Sequence, residues 1–94
     1  SNSIAQKAAI EAVAGPQDSI DIMLAEFRKR RDYTLERLRA MPGVKAQTPQ
    51  GAFYAYPNIS GVLGKGGIHT PMEFASRLLA EALVTVVPGE AFGT

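Results

Sequence analysis

The feature that most constrains this fold is a long amphipathic run held between two glycine–proline stops. Gly15-Pro16 stands before it and Pro42-Gly43 closes it. Between them Ile20, Leu24, Phe27, Thr34, Leu35, Leu38 and Met41 recur at three- and four-residue spacings, which puts them on one face of an α-helix. Glu26, Arg28, Lys29, Arg30, Arg31, Asp32, Glu36, Arg37 and Arg39 fill the gaps, and most of them must point to water. Asp18 or Ser19 can cap the start by accepting a free backbone N–H. A helix of about 22 residues is about 33 Å long, more than so small a domain needs for its own core. Part of the stripe is therefore expected to meet protein outside this chain.

Shorter elements flank this run. Ile4 to Ala14 reads as a helix with Ile4, Ala8 and Ala12 on one stripe. Val44 to Thr48 reads as a short edge strand, and Pro49-Gln50-Gly51 as the turn after it. Ala52-Phe53-Tyr54-Ala55-Tyr56 is the better strand, closed by Pro57-Asn58. Residues 60–67 carry four glycines and read as a flexible loop. Thr70-Pro71-Met72-Glu73 predicts a helix start, with a capping box and proline at the first helical position. That helix should bury Phe74, Ala75, Leu78, Leu79 and Ala82 against the sheet. Val84 to Val87 suit a last strand, which Pro88-Gly89 must end because proline has no N–H for a ladder. The expected fold class is α+β, a small sheet of short strands covered by helices.

Composition removes several function classes. Ninety-four residues make one domain, and 46% hydrophobic with 20% charged residues is ordinary for a globular protein. A chain this short buries less of its surface than a larger domain, so its stability should be modest without a partner surface. A net charge of +1 gives no reason to expect nucleic acid or an anionic membrane as partner. No apolar run approaches the roughly 20 residues that span a bilayer. The absence of cysteine rules out a disulfide scaffold or thiolate metal site and is compatible with a reducing compartment. The opening Ser1-Asn2 reads as a processed end or a cloning remnant.

Four local patterns invite functional readings. Gly61-Val62-Leu63-Gly64-Lys65-Gly66-Gly67 has the look of a phosphate loop, but Ile59 and Gly66 stand where that loop needs glycine and a hydroxyl residue. It reads as a surface loop. His69, the only histidine, has no partners for a metal site or a nucleophile triad and reads as an exposed residue at a helix entry. The basic run Arg28 to Arg31 is flanked by Glu26, Asp32 and Glu36, as on a solvated helix face with i,i+4 pairs. Phe53 should lie on the strand face opposite Tyr54 and Tyr56, either in the core or lining a site.

Taken in order, these segments resemble the aspartate-aminotransferase-like group of fold-type-I, pyridoxal-phosphate-dependent enzymes. Ser3-Ile4-Ala5-Gln6-Lys7-Ala8-Ala9 resembles a Ser-x-Ala-Gln helix that follows the family's cofactor-lysine segment. Arg30-Arg31-Asp32 resembles an Arg-Arg-Asp in the helix leading to the small domain. Pro49-Gln50-Gly51-Ala52-Phe53-Tyr54 resembles a Pro-x-Gly-Ala-Phe-Tyr strand. The capped helix and Val86-Val87-Pro88-Gly89 with Ala91-Phe92-Gly93 complete the resemblance.

The resemblance implies an aminotransferase that passes nitrogen from an amino acid to a 2-oxo acid through pyridoxal phosphate, with the cofactor as electron sink. Residues 1–15 are then the end of the large domain, and residues 16–94 an incomplete C-terminal small domain with its long connecting helix. None of the four lysines stands in the family's Ser-x-Ser-Lys context, so the Schiff-base lysine is expected upstream and the substrate-carboxylate arginine downstream. No catalytic residue, bound cofactor or activity is expected in this stretch alone. Phe53 matches a phenylalanine on the substrate side of the family's site, and Gly51 lets the backbone turn close to it. Asn2 and Ser3 match a loop that approaches the neighbouring subunit's site in family dimers, and so are candidates for cofactor contact across a homodimer. A cytoplasmic location follows from the same resemblance. The alternatives are a non-catalytic α+β interaction module that docks through the long helix, and a pyridoxal-phosphate lyase of the same fold.

Overall fold

A computed structural model describes residues 2–93. Three α-helices, α1 (Ser3–Ala14), α2 (Asp18–Arg39) and α3 (Pro71–Ala82), are followed by a short 3-10 turn, Gly89–Phe92. The chain divides into two units, the first ending at Thr34 and the second beginning at Leu35.

In the first unit local chemistry accounts for the helices. The Asn2 side chain accepts the Ile4 N–H at 2.8 Å, which satisfies one of the free donors at the start of α1. Gly15 ends α1 in an extended conformation, its N–H bonded to the Glu11 carbonyl at 2.8 Å. A Cβ at Gly15 would run into that same carbonyl, so the stop needs glycine. The Gln17 side chain then ties down the link by donating to the carbonyls of Ala12 and Gly15 at 3.2 and 2.8 Å. Asp18 and Ser19 lie inside the first turn of α2 rather than ahead of it, and the Gln17 carbonyl accepts from Asp21 at 3.3 Å. Asp18 and Asp21 in the first turn and Arg37 and Arg39 in the last complement the helix dipole. Glu26 pairs with Arg30 at 3.1 Å and Lys29 at 4.0 Å, and Arg31 pairs with Asp32 at 2.8 Å. These exposed pairs steady a solvated face and contribute little else. No residue of α1 is buried, and Ile20, Leu24 and Phe27 of α2 remain 46, 43 and 49% exposed.

The second unit holds the only core seen among the described residues. Leu35 and Ala75 are buried, and Leu38, Val62, Leu63, Ile68, Phe74 and Leu78 are half-buried. Two glycines let the backbone close around them. Gly43 has φ 83°, and a Cβ there would lie 2.7 Å from the Gly61 carbonyl oxygen. A Cβ on Gly61 would in turn lie 2.6 Å from the Gly43 carbonyl oxygen, so the two backbones cross where no side chain fits. Arg39 secures the next segment, its guanidinium donating to the Ala46 carbonyl and the Thr48 hydroxyl, both at 2.9 Å. The capping box at Thr70 and Glu73 forms as its sequence predicts, and Pro71 occupies the first helical position. Leu83 ends α3 with φ 57°, a left-handed conformation that glycine usually takes.

The expected sheet is not formed. Among the described residues there is no strand, and pairing is limited to isolated antiparallel bridges between Lys45 and Asn58 and between Lys65 and Ile68. The reason is that β-propensity measures fit to a pleated, half-buried surface and not a backbone preference alone. Phe53, Tyr54 and Tyr56 are 74, 67 and 71% exposed, so no face of that segment is buried. Ala52, at φ 56°, bends the chain out of the extended region just where the better strand was expected to begin. Val86 and Val87 are likewise 42 and 62% exposed and pair with nothing described. Leu79, expected against the sheet, is half-exposed for want of one.

Candidate functional site

The second unit brings together the two segments whose motifs are most distinctive. Residues 52–56 carry the aromatic run, and residues 89–92 form the 3-10 turn, which also touches α3. Their meeting point is Tyr56 against Gly89: a Cβ built on Gly89 would collide with the Tyr56 hydroxyl and lie 3.2 Å from Cζ. On the same segment the Phe53 and Tyr54 rings pack at 4.5 Å between centroids, tilted by 33°. The product is an exposed aromatic surface with Phe53, Tyr54, Tyr56 and Phe92 outward. It can shield a bound group from water.

The ion pair described in this unit, Arg77 with Glu81, lies on α3. Glu73 accepts the backbone N–H groups of His69 at 2.7 Å and Thr70 at 3.1 Å, and these two bonds hold its carboxyl below the ordinary range. Arg77 bonds Glu81 at 2.8 Å and the Gly66 carbonyl at 2.7 Å. That pairing lowers the Glu81 carboxyl and raises the Arg77 guanidinium. A shallow depression of about 130 Å³ runs beside them, lined by Ile68, Phe74, Arg77, Leu78, Glu81 and Ala82. It is a gap along the helix, with its one arginine already committed to Glu81 and the loop. No acidic, histidine or cysteine cluster that could hold a metal occurs among the described residues.

The aminotransferase class I and II family matches residues 1–94, the whole chain. An aspartate aminotransferase of Bacillus sp. (strain YM-2) is 49% identical over 94% of this chain and 22% of its own length. An aspartate/prephenate aminotransferase of Cereibacter sphaeroides is 48% identical over 97% of this chain and 24% of its own. Among solved structures, the aspartate aminotransferase of Rhizobium meliloti superposes with a TM-score of 0.90 at 41% identity, covering 99% of this chain and 24% of that one. The chain belongs to the class I and II aminotransferases. It spans about a quarter of the length of the relatives it matches.

Class I and II aminotransferases imply pyridoxal phosphate, and the residues described here do not fit that group. Lys7, Lys29, Lys45 and Lys65 are all exposed, and no polar or charged side chain is buried that could anchor a phosphate or a ring nitrogen. The depression on α3 contains no lysine. No chemical step is therefore assigned to this stretch of the aminotransferase.

The site residues expected from sequence separate into two places. Phe53 lies in the aromatic segment of the second unit and Gly51 just before that segment, whereas Asn2 and Ser3 cap and begin α1 in the first. At Gly51 a Cβ would meet nothing within 4 Å, and the left-handed residue of that turn is its neighbour, Ala52. The Tyr56–Gly89 contact had no separate signal in the sequence. Gly89 follows Pro88 and reads only as a strand stop.

Proposed function

We propose that this chain is the C-terminal, substrate-closing part of a pyridoxal-phosphate-dependent aminotransferase, cytoplasmic and homodimeric when whole. In that reading residues 1–15 end the large domain and residues 16–94 belong to the small one. Transfer runs from an amino acid to a 2-oxo acid, and aspartate is the first donor to try because relatives nearly half identical to this chain are named for it. Phe53 forms part of the apolar wall on the substrate side, Gly51 gives the approach to it, and Asn2 and Ser3 approach the second subunit's cofactor. The observation that carries the reading is the family match over residues 1–94. The exposed aromatic surface at Phe53 supports the placement of the wall, since a wall presented by one domain stays bare until the domain closes on substrate.

The test uses the full-length protein. Amino transfer from aspartate to a 2-oxo acid is expected, and Phe53→Ala should lower kcat/KM about tenfold or more, which is about 1.4 kcal/mol of transition-state stabilisation. With Phe53 at 74% exposure, the thermal midpoint should move little. Elimination products without transfer would assign the protein to the lyases of this fold. Neither reaction, with no Ser-x-Ser-Lys segment upstream, would make it a non-catalytic interaction module. The chain on its own is expected to retain no cofactor absorbance after gel filtration with pyridoxal phosphate; a retained band abolished by changing one of its lysines would overturn that expectation.

A further inference from the structure

We infer that Ala52 is a positioning residue for the apolar wall: its left-handed backbone brings Phe53 and Tyr54 to one side of the chain, and Tyr54 thereby joins Phe53 in the wall. The inference rests on the aminotransferase reading above. Lys45 and Asn58 exchange backbone hydrogen bonds of 2.9 and 2.7 Å, which tie the two ends of residues 46–57 together in antiparallel sense. The chain must therefore reverse between them. It bends through residues 50–53, and Ala52, at φ 56°, is the left-handed residue of that bend. No other residue described between the two ties has positive φ. Gly51 could take that conformation at no steric cost and does not. Strain on a residue with a Cβ persists where the surrounding structure enforces it, and it clusters at functional sites.

The consequence shows one residue further on. In an extended strand successive side chains point to opposite faces, which would hold Phe53 and Tyr54 apart. Here their rings lie together, 4.5 Å between centroids. Both stay exposed, at 74 and 67%, so the pair is turned outward as one aromatic patch. Only backbone separates the Ala52 dihedral from the direction of Phe53. A change of φ at residue 52 therefore redirects the rings without any side-chain contact to carry it.

The experiment measures kcat/KM for amino transfer from aspartate to a 2-oxo acid, and the thermal midpoint, on full-length variants. A β-branched residue at positive φ is a genuine outlier, so Ala52→Val should extend the chain and send the two rings to opposite faces. Its kcat/KM should fall about tenfold, as far as for Phe53→Ala. Ala52→Gly keeps the left-handed conformation and should stay within about threefold of wild type. Tyr54→Ala should lower kcat/KM about fivefold in wild type and less than about twofold in Ala52→Val, where the ring has already left the wall. At an exposed side chain it should leave the midpoint in place, so it tests the wall even where valine unfolds the segment. The proposal is overturned if a folded Ala52→Val keeps its kcat/KM, or if Ala52→Gly falls as far as the valine variant. It is also overturned if Tyr54→Ala costs nothing in wild type, costs the same in both backgrounds, or acts wholly through the fraction folded. Wild type that transfers no amino group sinks the aminotransferase reading instead. Ring-to-ring nuclear Overhauser effects between labelled Phe53 and Tyr54 then score the bend alone. Contact in wild type and Ala52→Gly but not in Ala52→Val supports it, and any other pattern refutes it.

Discussion

Helices α1 and α3 are each twelve residues long, and each begins with a polar side chain capping a free N–H, yet only one of them is packed. In α3, Phe74, Ala75 and Leu78 turn inward while Glu73, Arg77 and Glu81 face water. In α1, Ile4, Ile10 and Val13 are 77, 62 and 84% exposed. Its apolar residues are spread along the element with little polar contrast, whereas those of α3 gather on one side. Capping and propensity suffice to define where a helix starts and stops. A place in a core needs an apolar face and a surface to receive it, and most helical stability comes from that packing.

The largest test of this contrast sets Leu35 against Ile10. Leu35 is 3% exposed, and Leu35→Ala should cost about 2–5 kcal/mol in denaturant unfolding. Ile10→Ala should cost about 0.5 kcal/mol or less, as for surface changes generally. An equal cost for the two would break the comparison, because α1 would then be buried in solution. That comparison is made on dilute monomer; bare apolar helices favour association, so sedimentation of the chain at high concentration should show dimers, with α1 and α2 protected from hydrogen exchange only there.

Caps give the next effect in size. Thr70→Ala should cost about 1 kcal/mol of the cooperative transition. Asn2→Ala, by a similar loss at an unpacked helix, should fray α1 in hydrogen exchange and leave that transition where it was. A shift of the main transition by Asn2→Ala would show that α1 shares in the core.

Leu83→Gly should act in the opposite direction. Leucine at φ 57° carries the left-handed penalty while its side chain is 85% exposed, so glycine should raise stability by about 1 kcal/mol. No gain would mean that the leucine side chain is covered in solution.

The smallest expected effect is a pH dependence. Glu73 titrates below its ordinary value because its carboxylate accepts two N–H bonds, so its contribution is whole above the unfolded carboxyl value, about 4.3. That contribution is lost as pH falls through the lower folded value. Glu81 adds the same sign through Arg77. Glu73→Gln keeps a capping side chain and should flatten the fall in thermal midpoint below pH 5 by Glu73's share, leaving that of Glu81. An unchanged slope would remove Glu73 from the account.

What could be read without coordinates was local. The Gly15 stop, the 22-residue span of α2 and the Thr70–Glu73 box all follow from neighbouring residues satisfying one another's backbone groups, and each is present. The five family segments belong to the same level, since motif order is a property of the chain. The sheet expected from β-branched and aromatic runs is absent among the described residues, because a strand is completed by a partner that no run of residues specifies. For the same reason the crossing of Gly43 with Gly61 and the seating of Tyr56 on Gly89 came only from the fold. Each joins residues 18 and 33 positions apart. Sequence patterns report what a residue does to its own few neighbours, whereas which distant backbone it meets is decided only when the chain closes on itself.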